Sequence, residues 1–263
     1  MAITNGGTQQ AVKQLDFDLD TFADWLVEQT GGREPLSIIP MRGGGSCEMF
    51  ELVRGAERWV IRRAPLTAVA QTAHNVVREY QVISALQGGN VRVPELLAVS
   101  DDTTLMGAPF YIMRYADGVV IRRSLPPAYQ AAPARQLTIG EELVDALVEL
   151  HAFDWASSAM VKLARPDNFL ERQVGRWMGQ LQGYRQRELR GVDEIALWLE
   201  KWRPEQGELA VMHGDYKVDN AIFSTTLPPR IVSLVDFEMT TVGDPLIDLA
   251  WAMIFWPEPD NLI

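Results

Sequence analysis

Apolar positions in this chain follow a strand period in its first part and a helix period later. From Asp20 to Gln29, Phe22, Trp25 and Leu26 mark one face of a helix that Gly31-Gly32 ends. Leu36 to Arg42, Glu48 to Arg54 and Arg58 to Arg63 read as three short strands, with GGGS between the first two and RGA between the second and third. Thr72 to Leu86 returns to helical spacing through Val76, Val77, Tyr80, Ile83 and Leu86, and stops at Gly88-Gly89. Val93 to Val99 and Phe110 to Tyr115 supply two more strands, which together predict a five-stranded antiparallel sheet. Residues 1–15 are polar and predict a frayed end.

Beyond Gly118 the character changes. SLPPAYQAAPAR reads as a Pro- and Ala-rich loop of the length of a lid or an insert. Leu137 to Phe153 follows as a long helix with Leu143, Leu147 and Leu150 on its apolar stripe, and Asn168 to Leu189 and Asp193 to Trp202 make two more. RQRELR reads as a solvated helix face, and Trp155, Trp177, Trp198 and Trp202 as core or cleft-wall aromatics. His151 reads as a packed helix-end residue.

The chemistry concentrates between Val211 and Ala250. Leu209 to Met212 is a short apolar run that leaves at HGD, Ala221 to Phe223 is a second, and Pro228-Pro229 precedes a β-branched strand from Ile231 to Val235 that ends on Asp236. A loop and two strands would bring Asp215, Asn220 and Asp236 to one edge. Asp and Asn are also common turn residues, so any one of them could be structural. Few oxygen ligands, one of them an amide, suit Mg²⁺, which shares its coordination with water and substrate phosphates. An Asp, an Asn five positions later and a strand ending in a metal-binding Asp is the protein-kinase arrangement, with DFE here where a kinase has DFG.

The combination HGDYKVDN, DFE and GDPLIDLA resembles the aminoglycoside phosphotransferase family of kinase-like enzymes, whose signature is HGDxxxxN, a D-W/F/L-E triplet and GDPxxDLA. VIRRAP, REYQVISAL, GAPFYIMRYADG and VDFEMTTVGDPLIDLAW further resemble the branch that includes kinase domains fused to acyl-CoA dehydrogenases. The resemblance covers nearly the whole chain. It implies an α+β, two-lobed protein-kinase-like fold: an N-lobe over residues 1–115 with the five-stranded sheet, and a mainly helical C-lobe over 116–263, with ATP and Mg²⁺ between them. Family members continue for several more helices, so the C-terminal helices are expected to be missing from this chain.

The resemblance also assigns roles. Asp215 would orient the acceptor hydroxyl and take its proton, while Asn220 and Asp236 hold Mg²⁺. Gly43, Gly44, Gly45 and Ser46 would cradle phosphate through backbone N–H groups, although a glycine run can equally be a flexible turn; GGGSC carries Cys47 where the family has Asn. WVIR stands where kinases carry VAIK, so Val60 could roof the adenine and Arg62 reach the phosphates from the same strand face; the other reading of Arg62 and Arg63 is a solvated strand end. Glu79 occupies the place of the helix glutamate that pairs with that basic residue, or is a plain helical Glu. Met113 would be the gatekeeper, with the carbonyl of Arg114 and the N–H of Ala116 reading adenine. Asp244 and Pro245 would open a final helix from Leu246 to Phe255, with Asp248 holding the HGD loop and His213 packed beneath it.

Composition narrows the class. The apolar share of 47% and charged share of 22% are those of a soluble globular protein, and no run reaches the ~18 apolar residues of a membrane span, so a cytoplasmic protein is expected. The single cysteine, Cys47, excludes an internal disulfide. A net charge of −11 argues against general nucleic-acid binding and permits a cationic substrate. The expected activity is ATP- and Mg²⁺-dependent transfer of the γ-phosphate to a hydroxyl of a small molecule, with a hydroxyacyl-CoA ahead of an aminoglycoside. A catalytically inactive nucleotide-binding pseudokinase and a metal-dependent hydrolase built on His213 are the alternatives.

Overall fold

The computed structural model describes residues 15–41, 47–66, 75–132 and 135–256. The chain divides into two compact units: the first runs to Val77 and takes in Leu96–Tyr115, the second comprises Arg78–Glu95 and the chain from Ala116 onward. The architecture is α+β and protein-kinase-like.

In the first unit, α1 (Leu19–Thr30) is followed by β1 (Leu36–Pro40), β2 (Glu48–Arg54) and β3 (Glu57–Arg63). After α2 (Val76–Leu86) come β4 (Leu96–Ser100), the one-turn α3 (Thr103–Met106) and β5 (Phe110–Arg114). The five strands form one antiparallel sheet in the order β1-β2-β3-β5-β4. Asp18 starts α1 by accepting from the Thr21 N–H at 2.7 Å, and Gly31 ends it at φ 67°. Phe22 and Leu26 of α1 pack on Phe50, Leu52, Trp59 and Ile61, so α1 covers one face of the sheet. Alternation along β3 sends Trp59 and Ile61 to that face and Val60 and Arg62 to the other. Arg63 returns to the α1 side, where its buried guanidinium is bonded to Asp16, Glu48 and the Met106 carbonyl. The two adjacent arginines therefore have different surroundings, and neither is a solvated strand end.

The second unit contains most of α2, then β6 (Val119–Val120), α4 (Pro127–Gln130), α5 (Leu137–His151), α6 (Phe169–Tyr184) and α7 (Val192–Lys201). These are followed by β7 (Ala210–Met212), β8 (Ala221–Phe223), β9 (Ile231–Leu234), β10 (Thr241–Gly243) and α8 (Leu246–Ile254). β6, β8 and β9 form a small sheet, and β7 pairs with β10. Among the described residues no helix is long and apolar enough to cross a membrane.

Several elements depart from the sequence reading. The fourth strand starts at Leu96, three residues later than its apolar run, with a register shift between Leu96 and Ala98. The Pro/Ala-rich stretch is not all loop: α4 lies in it, and the hydroxyl of buried Tyr129 donates to the Ser224 carbonyl. RQRELR is not helical, because Arg185 is already extended at φ −65°, ψ 120° and closes α6. Trp177, Trp198 and Trp202 are exposed, and no residue of α7 is buried. Trp155 has its indole N–H on the backbone carbonyl of Leu209, at 3.2 Å.

Glu142 of α5 fixes the small sheet to the helices. Its buried carboxylate accepts from Arg92, from Arg230 and from the Ile231 N–H at 2.9 Å. Burial pushes this carboxyl up, but the bonds from Ile231, Arg230 and Arg92 outweigh it and hold it below the ordinary glutamate value. A carboxyl depressed in the folded state stabilises fully above its unfolded value of about 4.3 and loses that contribution as pH falls through the lower folded value. Equilibrium urea unfolding across pH 3–6 should therefore show wild-type stability falling at the acid end, with a flatter curve for Glu142→Gln. Parallel curves would contradict the assignment.

Candidate active site

The register of two hairpin-like pairs assembles the acidic cluster. In the β8–β9 pair Ala221 faces Leu234, and the Val235 N–H donates to the Asn220 carbonyl at 3.0 Å. Asn220 and Asp236 thus leave the same end of the same pair. In the β7–β10 pair Met212 faces Thr241, so His213 emerges beside Thr240, whose hydroxyl donates to the His213 carbonyl at 3.2 Å.

Between these pairs the HGD loop is held by α8. The fully buried carboxylate of Asp248 accepts the N–H of His213 at 2.7 Å through one oxygen and the N–H of Gly214 at 2.8 Å through the other. His151, at the end of α5, lies 3.1 Å from the same carboxylate through Nε2. Gly214 sits at φ 85°, and a Cβ there would stand 2.7 Å from the Met239 carbonyl oxygen. Both facts require glycine.

His213 is buried among Tyr216 and Phe237, and burial lowers its pKa. Its Nδ1 accepts from the Asp215 N–H at 3.3 Å, so Nε2 carries the proton and donates to the Val235 carbonyl at 3.0 Å. It is a neutral strut between the HGD loop and the end of β9. That arrangement leaves no ring nitrogen for a hydrolytic metal site. Tyr216 ties the loop to α5 through its hydroxyl, which donates to the Leu143 carbonyl at 2.6 Å.

Asp215 is a half-buried carboxylate with three side-chain donors. Oδ1 accepts from the indole Nε1 of Trp251 at 2.8 Å; Oδ2 accepts from Asn220 Nδ2 at 2.9 Å and from Lys217 Nζ at 2.9 Å. Burial raises its pKa, but Lys217, Trp251 and Asn220 together hold it below the usual carboxylate value. Lys217 is correspondingly raised, burial being outweighed by Asp215. Asn220 Nδ2 also donates to the Asp215 carbonyl at 2.8 Å, so both hydrogens of its amide are directed at Asp215. Asp236 has the left-handed backbone of a sharp turn, φ 70°, where the strand ends.

The helix α2 grips that turn. Glu79 accepts the Phe237 N–H at 3.0 Å, and Arg78 donates to the carbonyls of Thr240 at 2.6 Å and Glu238 at 3.4 Å. The structure therefore brings Asp215, Asn220, Asp236 and Glu79 into one connected network. In the first unit, Val60 faces Met113 across the β3–β5 pair, both buried, while Arg62 faces Tyr111. Arg114 is the exposed last residue of β5, and Ala116 follows two residues on. Gly43, Gly44, Gly45 and Ser46 lie outside the described residues.

Lys217 and Trp251 are the residues that sequence reading missed. Lys217 stands two after Asp215 within HGDYK, and Trp251 stands three after Asp248 in DLAW, hence on the same face of α8. That spacing was the available signal: a helix that clamps residues 213 and 214 presents its next same-face residue to 215.

A family model described as a phosphotransferase enzyme family, APH, matches residues 37–262. The chain belongs to this family. The chain is 31% identical over 265 residues to acyl-CoA dehydrogenase family member 11 of Gallus gallus, an alignment covering 98% of this chain and 34% of that protein. The chain thus spans about a third of the length of the curated relatives it matches. A Ralstonia eutropha protein solved as a candidate aminoglycoside phosphotransferase has 28% identity and a TM-score of 0.78, over 93% of this chain and 72% of that one. The ternary complex of streptomycin, ATP and APH(2")-IIa has 16% identity and a TM-score of 0.60, over 89% and 75%, a likeness of fold.

Replacing Gly214 by alanine should cost about 2–3 kcal/mol of stability, from the left-handed backbone and the approach to Met239. Chemical denaturation checks this, and a loss under about 0.5 kcal/mol, the range of an ordinary surface substitution, would contradict the geometry.

Proposed function

We propose that this chain is an ATP- and Mg²⁺-dependent phosphotransferase that moves the γ-phosphoryl group to a hydroxyl of a small molecule. The observation that carries the reading is the Asn220 amide. Its side chain donates twice to Asp215 while the Asn220 backbone carbonyl accepts the Val235 N–H beside Asp236, which supports reading Asp215 as the carboxylate for an acceptor and Asn220 and Asp236 as oxygen ligands for a cation.

The donor set suits Mg²⁺. Both amide hydrogens of Asn220 go to Asp215, so Oδ1 is its oxygen for a cation, with Asp236 as the second ligand. Among the described residues no three His, Cys, Asp or Glu side chains form a metal cage. Two side chains completed by phosphate oxygens and water are what nucleotide-bound Mg²⁺ takes. When bound, the ion would neutralise charge on the phosphates. Asp215 would receive the O–H of the acceptor, orient its oxygen toward phosphorus and accept the proton as the new bond forms. Lys217, bonded to Asp215, would add positive charge beside the transferred group. Val60, Met113 and the backbone of Arg114 and Ala116 would take the adenine, and Arg62 and residues 43–46 the phosphates.

For the acceptor we favour a hydroxyacyl thioester, because the relative that matches over 98% of this chain is named for acyl-CoA chemistry. Aminoglycosides are the second reading, supported by the name of the Ralstonia structure. An ATP-consumption assay offering 4-hydroxyacyl-CoA compounds beside kanamycin-like compounds orders the two. Turnover of the antibiotics with none of the thioesters would reverse the preference.

Asp215→Ala should lower phosphoryl transfer by about 10²–10⁴-fold with little change in ATP affinity. Near-normal turnover in that variant would reject the role. By calorimetry, Asp236→Ala should bind ATP equally with and without Mg²⁺, whereas wild type should bind more tightly with it. Retained Mg²⁺ dependence would move the metal elsewhere.

A further inference from the structure

We propose that Trp251 is the residue that positions the acceptor hydroxyl on Asp215, by leaving one direction on that carboxylate open and standing beside it. The inference rests on the assignment of Asp215 as the group that receives the acceptor.

An ionised carboxylate offers about four lone-pair directions, two on each oxygen. Oδ2 of Asp215 is saturated by Asn220 and Lys217, both at 2.9 Å. Oδ1 takes one bond, from the Trp251 indole at 2.8 Å. An acceptor O–H that does not displace a resident donor must therefore approach the second lone pair of Oδ1, next to the indole. Its carbon framework then lies against the ring.

The indole is placed for this by the helix rather than by the loop. Trp251 follows Asp248 by three residues on α8, and Asp248 holds the two residues before Asp215. Phe255, one turn further, meets the Trp251 ring edge-on at 5.5 Å and 72°. Trp251 is 39% exposed and Phe255 52%, so the surface beside Oδ1 is aromatic. Indole N–H is a donor only and cannot take up a proton near neutral pH. In the transfer, the acceptor oxygen forms its bond to the γ-phosphorus as the bond to the bridging oxygen breaks and ADP leaves. The hydroxyl proton passes to Oδ1, and the indole keeps its own. Trp251 is thus a positioning residue.

The test compares wild type, Trp251→Phe, Trp251→His and Asp215→Asn. Each is assayed for transfer from ATP to a 4-hydroxyacyl-CoA and, in the same reactions, for ATP hydrolysis by water. Trp251→Phe keeps an aromatic ring and removes the donor. It should lower kcat for the thioester by about 10–100-fold, the scale of a misplaced reactant, with acceptor KM within about 2-fold. Because water is small and needs less orientation, the ratio of transfer to hydrolysis should fall. Trp251→His, which retains an N–H, should recover part of that ratio. Trp251→Met, also without a donor, carries the same reading if Trp251→Phe is insoluble. A donor-less variant with the wild-type ratio, or one that loses transfer and hydrolysis in equal proportion, overturns the proposal. If Asp215→Asn is inactive and Trp251→Phe behaves as wild type, only the role of Trp251 falls. If wild type and Asp215→Asn transfer equally, the assignment of Asp215 falls and this inference with it; if wild type uses a kanamycin-like compound and no thioester, the same ratios are read on that acceptor.

Discussion

One buried carboxylate holds the site in shape. Asp248 is withdrawn from water, and an ionised group in that position is tolerated only when its lone pairs are satisfied. Its partners are two successive backbone N–H groups of the HGD loop and the ring of His151. The loop therefore cannot leave α8 without uncovering a charge, and its conformation is fixed from one side by that pair of bonds. From the other side, neutral His213 spans from the Asp215 N–H to the Val235 carbonyl, so the end of β9 is set by the same few atoms. Asp215 and the strand that delivers Asp236 share one support.

What the sequence disclosed, and what it hid, follows from the length of the signals. Strands of seven residues, such as β2 with its partly alternating burial and β3 with its continuous buried run from Trp59 to Arg63, are long enough to be read, and the opposed directions of Trp59 and Val60 follow from the two-residue period of strand backbone. β6 and β10 have two and three residues and no period to detect; they exist because β8 and β7 have backbone groups to pair. The motif HGDxxxxN singled out Asp215 and Asn220, while the bonds of Lys217 and Trp251 to Asp215 became visible only when α8 and the loop were placed together. The core reading of Trp177, Trp198 and Trp202 failed for the opposite reason. A large apolar residue is evidence for burial only where its helix has a neighbour on that side, and α6 buries only Phe169 and α7 none of its residues.

The three donors around Asp215 bear on what such a carboxylate can do. A group stabilised as the anion by Lys217, Trp251 and Asn220 is a poor proton acceptor at rest. That would be a defect in an enzyme that had to generate a free alkoxide. Phosphoryl transfer has a loose transition state in which little nucleophile deprotonation is needed early, so orientation of the acceptor outweighs basicity. A carboxylate with one open direction and three fixed donors is suited to orientation.

Asn220 shows why the residue types are not interchangeable in this reading. Its amide has an end that donates and an end that accepts, and the structure commits the donating end twice to Asp215. A carboxylate at 220 would keep an oxygen for a cation but would repel Asp215 and make neither bond. A lysine would satisfy Asp215 and repel the cation. Only an amide would serve both neighbours, so on this reading the position of Asp215 and the affinity for a metal would be coupled through one side chain. Drawing the cation toward Asn220 Oδ1 would hold Nδ2 against Asp215, and in that way a bound nucleotide–metal complex would tighten the group that receives the acceptor.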